Sequence, residues 1–75
     1  MERNIEQFVI DRVREMRQKK GISQAELADR IDVSRGFIGA VENPRQRAKY
    51  NLSILNEIAK VMDCSIRDFF PDKYL

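Results

Sequence analysis

Apolar residues recur along this chain at intervals of three and four positions, which is the spacing of one face of an α-helix. The first stripe of this kind comprises Ile5, Phe8, Val9, Val13 and Met16. It predicts an amphipathic helix from Ile5 to Lys19, with Asn4 as its N-terminal cap and Gly21 as a left-handed C-terminal cap.

Two short helices are predicted next. Ser23 and Glu26 have the spacing of a capping box, so the first of the two is expected to run from Gln24 to Ile31. Its inward face comprises Ala25, Leu27, Ala28 and Ile31. Asp32 tolerates the left-handed conformation that ends a helix, and Ser34 is the expected cap of the next one.

That third helix is expected from Arg35 to Glu42, because Pro44 pushes the residue before it out of helical geometry. At about 100° per residue, Ile38 and Val41 define its inner face. Its outer face is small, since Gly36 and Ala40 point the opposite way.

A fourth helix is predicted from its cap, Asn51, to Met62, and Ser65 is expected to cap a short fifth helix that ends near Pro71. The buried positions of the fourth helix are expected to be Leu52, Leu55, Ile58, Ala59 and Met62. Two turns, 31–34 and 62–65, share the order apolar, Asp, apolar, Ser. This repeated order predicts the same turn twice and makes Cys64 a small core residue.

Composition limits the classes of function that fit. The chain has 75 residues, 43% of them hydrophobic, which favours one domain over 1–75 with a core over about 5–71. Histidine is absent and Cys64 is the only cysteine, so we expect no enzyme, no catalytic residue, no cofactor and no metal site. The apolar runs are too short to span a membrane, and a lone thiol favours a cytoplasmic protein.

Two short helices joined by a tight turn have the geometry of a helix-turn-helix. The stretches 14–28 and 32–43, together with 64–70, resemble the lambda repressor and Cro family, also called the XRE-type helix-turn-helix. The resemblance covers about residues 5–71. It implies an all-α, five-helix, lambda-repressor-like DNA-binding domain that forms a two-fold dimer on double-stranded DNA.

The resemblance also implies roles for individual residues. Gln24 takes a position that contacts phosphate and supports the recognition helix. Positions at the entry and on the outer side of that helix, where bases or backbone are read, are held by Ser34, Arg35, Gly36, Phe37 and Ala40. Asn43 and the loop after it approach phosphates. Arg17 and Glu42 match a partly buried ion pair that ties the first helix to the end of the third.

The residues themselves add a charge pattern. Between positions 35 and 50 there are four basic residues and one acid, a balance of +3 against +2 for the whole chain. In the loop these basic residues are Arg45, Arg47 and Lys49. Arg35 is the only long donor placed to read a guanine. Gly36 and Gly39 either let the DNA approach the helix backbone closely or are simply exposed glycines. Phe37 either contacts thymine methyl groups or forms the edge of the core.

Large apolar side chains crowd the C-terminus. Phe69 is expected in the core. Phe70, Tyr74 and Leu75 either form a dimer interface or fold back over the fourth helix.

These observations predict a sequence-specific, dimeric DNA-binding regulator of transcription, with a repressive outcome. The alternative is a protein-interaction module of the same fold that has kept the architecture without binding DNA. Within the DNA-binding class, a phage-type repressor, an antitoxin with a protein partner and a restriction-modification controller remain open.

Overall fold

The computed structural model describes residues 4–75 and contains only helices and connecting segments there. The elements are α1 (Ile5–Lys19), α2 (Gln24–Arg30), α3 (Phe37–Glu42), α4 (Leu52–Met62) and a 3₁₀ helix (Ile66–Phe69). This confirms the all-α class, although the fifth predicted helix is a 3₁₀ turn. The domain expected over 1–75 begins with three residues that lie outside the described part. No helix within 4–75 is both long and apolar enough to cross a bilayer.

Helices α1, α2 and α4 begin where capping side chains were predicted. Asn4 Oδ1 accepts a hydrogen bond from Gln7 N at 3.2 Å, and Asn51 Oδ1 accepts one from Ile54 N at 2.8 Å. Ser23 Oγ accepts from the Glu26 amide at 3.0 Å. Each bond satisfies a backbone donor that the first turn of a helix leaves without a partner.

The left-handed turns predicted at two aspartates are present. Asp32 has φ 60° and Asp63 has φ 52°. In both turns the next residue donates to a carbonyl five positions back, with Val33 N to Ala28 O at 3.0 Å and Cys64 N to Ala59 O at 3.1 Å. The shared order of residues therefore gives the same C-terminal motif twice. Cys64 packs against the core half-buried.

The start of the third helix differs from the prediction. The helix begins at Phe37 rather than Arg35, and Ser34 does not cap it. The Ser34 carbonyl instead accepts a hydrogen bond from Phe37 N at 3.0 Å, which closes a turn through Arg35 and Gly36. Gly36 takes the N-cap position, so Gly39 is the only glycine inside the helix and the only one there that lowers its intrinsic stability.

One core joins all five elements. Its fully buried large side chains are Val13, Leu27, Ile38, Ile58, Met62 and Phe69. Two expectations are wrong: Leu52 is 70% exposed and Ile5 is 43% exposed. Both open their helices at the edge of the molecule. Ile10 and Arg17 are buried although the predicted stripe omitted them.

Candidate nucleic-acid interface

A buried ion pair fixes the end of α3 against α1. Arg17 donates from Nε to Glu42 Oε2 at 3.0 Å and from Nη2 to Glu42 Oε1 at 2.8 Å. The third donor, Arg17 Nη1, reaches the Ile22 carbonyl at 2.8 Å. The two side chains are only 9% and 4% exposed. A bidentate pair of this kind sets the position of α3 more than it adds net stability.

Gln24 extends this network to α2. Its Nε2 donates to Glu42 Oε1 at 2.9 Å, so one carboxylate oxygen receives both Arg17 and Gln24. Gly39 makes room for this arrangement, because a Cβ at that position would lie 3.1 Å from Gln24 Oε1. The contact was not predicted, since residues 24, 39 and 42 meet only after the helices pack.

The segment that leads into α3 is open to solvent. Ser34, Arg35 and Gly36 are all exposed, and a Cβ at Gly36 would have no heavy atom within 4 Å. The Arg35 side chain is 75% exposed, and its Nε lies 3.9 Å from Asp29 Oδ1. An exposed pair at that distance holds the guanidinium weakly. Ala40, one turn further on, is half-buried.

Phe37 faces the edge of the core. It is half-buried and packs edge-on against Tyr50, with ring centroids 6.1 Å apart and an interplanar angle of 61°. The Tyr50 hydroxyl is buried and has no hydrogen-bond partner within 4–75. Burial, followed by the nearby negative charge of Glu42, raises the pKa of Tyr50 well above its usual value.

The loop after α3 carries the predicted basic residues on its surface. Asn43 Oδ1 accepts a hydrogen bond from Arg45 N at 2.9 Å, which orders the first turn of the loop. Arg45, Arg47 and Lys49 are exposed. None of the three forms an ion pair with an acid in the described part of the chain. Their charge is therefore available to an anionic partner.

The C-terminal residues of the predicted dimer interface lie on the surface to different degrees. Phe70 is half-buried, Leu75 is 43% exposed and Tyr74 is 94% exposed. Tyr74 therefore does not fold back over α4, which was the alternative left open by the sequence.

Comparison with known proteins places this geometry in a family. A helix-turn-helix family model matches residues 13–69. The restriction-modification controller protein C.AhdI from Aeromonas hydrophila is 30% identical over 84% of this chain and 92% of that chain, with a TM-score of 0.71. The hypothetical transcription factor NHTF from Neisseria is 25% identical over 91% of this chain and 76% of that chain, with a TM-score of 0.77.

A third solved structure supports the fold. The N-terminal DNA binding domain of SinR from Bacillus subtilis is 22% identical over 91% of this chain and 97% of that chain, with a TM-score of 0.72. SinR has also been solved in complex with DNA. No curated protein matched the sequence significantly. From the family match and the likeness to C.AhdI, the chain belongs to the Cro/C1 (XRE-type) helix-turn-helix family of DNA-binding regulators.

Proposed function

We propose that this chain acts as a dimeric, sequence-specific repressor of transcription. Residues 34–40 of each subunit enter successive major grooves of an operator, with the N-terminal end of α3 leading. The observation that carries this proposal is the open entry to α3, where exposed Arg35 stands beside side-chain-free Gly36 while Glu42 anchors the other end of the helix.

Arg35 is the main residue that reads bases in this proposal. Its guanidinium can make a bidentate contact to a guanine, and a contact of that kind gives about 1–3 kcal/mol of discrimination against other bases. Gly36 and Ala40 let the backbone of α3 approach the floor of the groove. The exposed edge of Phe37 provides apolar contact to a thymine methyl group.

Phosphate contacts hold this segment in register. Gln24, whose amide is already oriented by Glu42, stands at the start of α2, and Ser34 stands at the entry to α3. On the far side of α3, the proposed phosphate contacts are Asn43, Arg45, Arg47 and Lys49. These residues supply most of the affinity, because neutralised phosphates release counterions.

Repression follows from occupancy of the DNA. A dimer that joins its subunits through Phe70, Tyr74 and Leu75 matches the two-fold symmetry of a pseudo-palindromic operator. A bound dimer excludes polymerase from a promoter that overlaps the operator.

A salt titration of duplex binding tests the proposed function. If about six phosphates are neutralised per dimer, the logarithm of the association constant should fall against the logarithm of salt concentration with a slope of about −5. Absence of binding to any duplex at low salt would contradict the proposal and would indicate a protein-interaction module of the same fold.

A further inference from the structure

An apolar groove lies between the start of α1 and the start of α4. Its volume is about 230 Å³. Its apolar lining includes Ile5, Val9, Leu52, Leu55 and Phe70. Glu6 is the one charged residue among those that line it.

Two of the lining side chains are unusually exposed for their size. Leu52 is 70% exposed and Ile5 is 43% exposed. A single exposed leucine is ordinary on a protein surface, but here an exposed leucine and an exposed isoleucine line the same groove. Covering these side chains with another molecule would remove apolar surface from water, which is favourable.

Exposed apolar side chains also follow the groove-lining residue Phe70 in the sequence. The chain continues from Phe70, which lines the groove, into a tail of irregular structure that contains Tyr74 and Leu75. Four residues of extended chain span at most about 14 Å, so Tyr74 lies within that distance of Phe70. Tyr74 is 94% exposed, and neither it nor Leu75 lines the groove of its own subunit.

We propose that the groove takes up Tyr74 and Leu75 from the tail of a second copy of this chain. In a two-fold interface each patch meets its own counterpart, so a protruding group beside a groove is complementary to itself. Both subunits then bury their exposed aromatic and aliphatic groups at once. This inference rests on the dimer of the proposed function and identifies the surface that receives the tail.

Charge supports the same pairing. Lys73 precedes Tyr74 in the tail, and Glu6 borders the groove. With Tyr74 seated, Lys73 of one subunit reaches the rim that carries Glu6 of the other. Opposite charges at the rim fix the register of an interface more than its strength.

Isotope-filtered NMR on the full chain, without DNA, tests the contact directly. In a mixture of labelled and unlabelled protein, intermolecular NOEs are expected between the Tyr74 ring and the methyl groups of Leu52 and Ile5. A chain that stays monomeric at millimolar concentration, or a dimer without these NOEs, would overturn the proposal.

Sedimentation velocity then measures what each side chain contributes. Leu52→Gln and Tyr74→Ser alter exposed positions, so both variants should fold, and each should weaken dimerisation by about ten-fold or more. Ser53→Gln, one position along and outside the groove, should leave dimerisation unchanged. Equal dimerisation of all three variants would show that another face pairs.

A charge exchange separates the rim contact from general effects of charge. Glu6→Lys and Lys73→Glu should each weaken the dimer, and the two changes together should restore it. If the double variant dimerises more weakly than either single variant, the pairing of these two residues is contradicted. Because dimerisation is measured without DNA, its outcome is independent of whether the chain binds a duplex.

Discussion

Gly39 leaves room for the side chain of Gln24. A methyl group at position 39 would stand 3.1 Å from Gln24 Oε1, a separation at which one of the two must move. Gln24 Nε2 in turn donates a hydrogen bond to Glu42 Oε1. A side chain at position 39 would therefore shift this proposed phosphate contact by a few tenths of an ångström.

Gly39→Ala should have opposite effects on stability and on DNA binding. Alanine is favoured over glycine inside a helix by about 1 kcal/mol, but the added methyl displaces Gln24 and weakens its bond to Glu42. We therefore expect the unfolding free energy, measured by denaturant unfolding, to rise by less than about 1 kcal/mol. We also expect the variant to bind duplex DNA more weakly.

Gln24→Ala supplies the matched background for this test. Without the Gln24 side chain, Gly39→Ala should give the full gain in stability and no further loss of duplex affinity. An equal loss of affinity in both backgrounds would show that Gly39 itself, rather than Gln24, meets the DNA.

Tyr50→Phe should be neutral or stabilising by up to about 1 kcal/mol, because it removes a buried hydroxyl that has no partner within 4–75. The effect should depend on pH. Tyrosine in an unfolded chain ionises near pH 10, whereas burial and Glu42 raise the pKa of Tyr50 in the folded chain. The folded protein thus keeps a proton that the unfolded chain releases, and stability falls as the pH rises above about 10.

Denaturant unfolding at about pH 8 and about pH 11 checks this difference, since the advantage of Tyr50→Phe should grow at the higher pH. Tyr74→Phe, which alters an exposed phenol, is the control and should not change stability at about pH 8. A clear loss of stability in Tyr50→Phe near neutral pH would mean that the hydroxyl makes a hydrogen bond.

At the scale of whole elements, α3 is held at its C-terminal end by charge and on its inner face by packing. Ile38 and Val41 are buried, and Glu42 joins the helix to α1 and α2. The N-terminal end has no capping side chain. A helix of six residues is too short to be stable alone, so its position relies on these contacts.

Glu42→Ala should destabilise the fold by about 3 kcal/mol or more, because it leaves the buried Arg17 guanidinium without a counter-charge. Glu15→Ala is the matched control. Glu15 lies 3.8 Å from Arg12 in an exposed pair, and its loss should change the unfolding free energy by less than about 1 kcal/mol. Comparable losses in the two variants would show that the Arg17–Glu42 pair does not hold α3.

Which elements could be predicted depends on the range over which their signals act. The capping side chains of Asn4, Ser23 and Asn51 bond to amides three residues away, so the local sequence is enough to predict where these helices begin. Ser34 carries the same local signal, but the turn through Arg35 and Gly36 uses the Ser34 carbonyl instead and delays the helix. Local chemistry therefore predicted the existence of α3 and missed its first residue.

The site was predicted less completely than the fold. Family resemblance identified the residues around α3, and the structure brings Arg17, Glu42 and Gln24 into contact. Two features depend on packing between distant parts of the chain: the space beside Gly39 that accommodates the Gln24 side chain, and the exposure of Leu52. No periodic pattern encodes such contacts.

At the scale of the whole molecule, the surfaces proposed for DNA and for the second subunit are made from different residues. Positive charge is concentrated between positions 35 and 50, whereas the apolar groove lies between the starts of α1 and α4. The two sets of residues do not overlap, although Tyr50 of the groove packs against Phe37 of the proposed DNA surface. Substitutions at the proposed DNA contacts should therefore leave dimerisation without DNA unchanged, whereas substitutions in the groove should also weaken operator binding, because the operator is bound by the dimer.

Arg35→Ala should cost about 1–3 kcal/mol of affinity for a selected operator and much less for random DNA, because it removes a base contact. Arg47→Ala is the comparison. As a phosphate contact, it should weaken binding to both kinds of DNA alike and make the salt slope shallower by about 1. Equal losses of Arg35→Ala on operator and random DNA would make Arg35 a phosphate contact instead.

Selection of bound duplexes from a random pool tests most directly whether the entry to α3 reads DNA as part of a dimer. The account predicts enrichment of a pseudo-palindrome whose half-sites are centred about 10 base pairs apart. A pool that stays random after repeated selection, although the protein is folded and binds duplex at low salt, would contradict it.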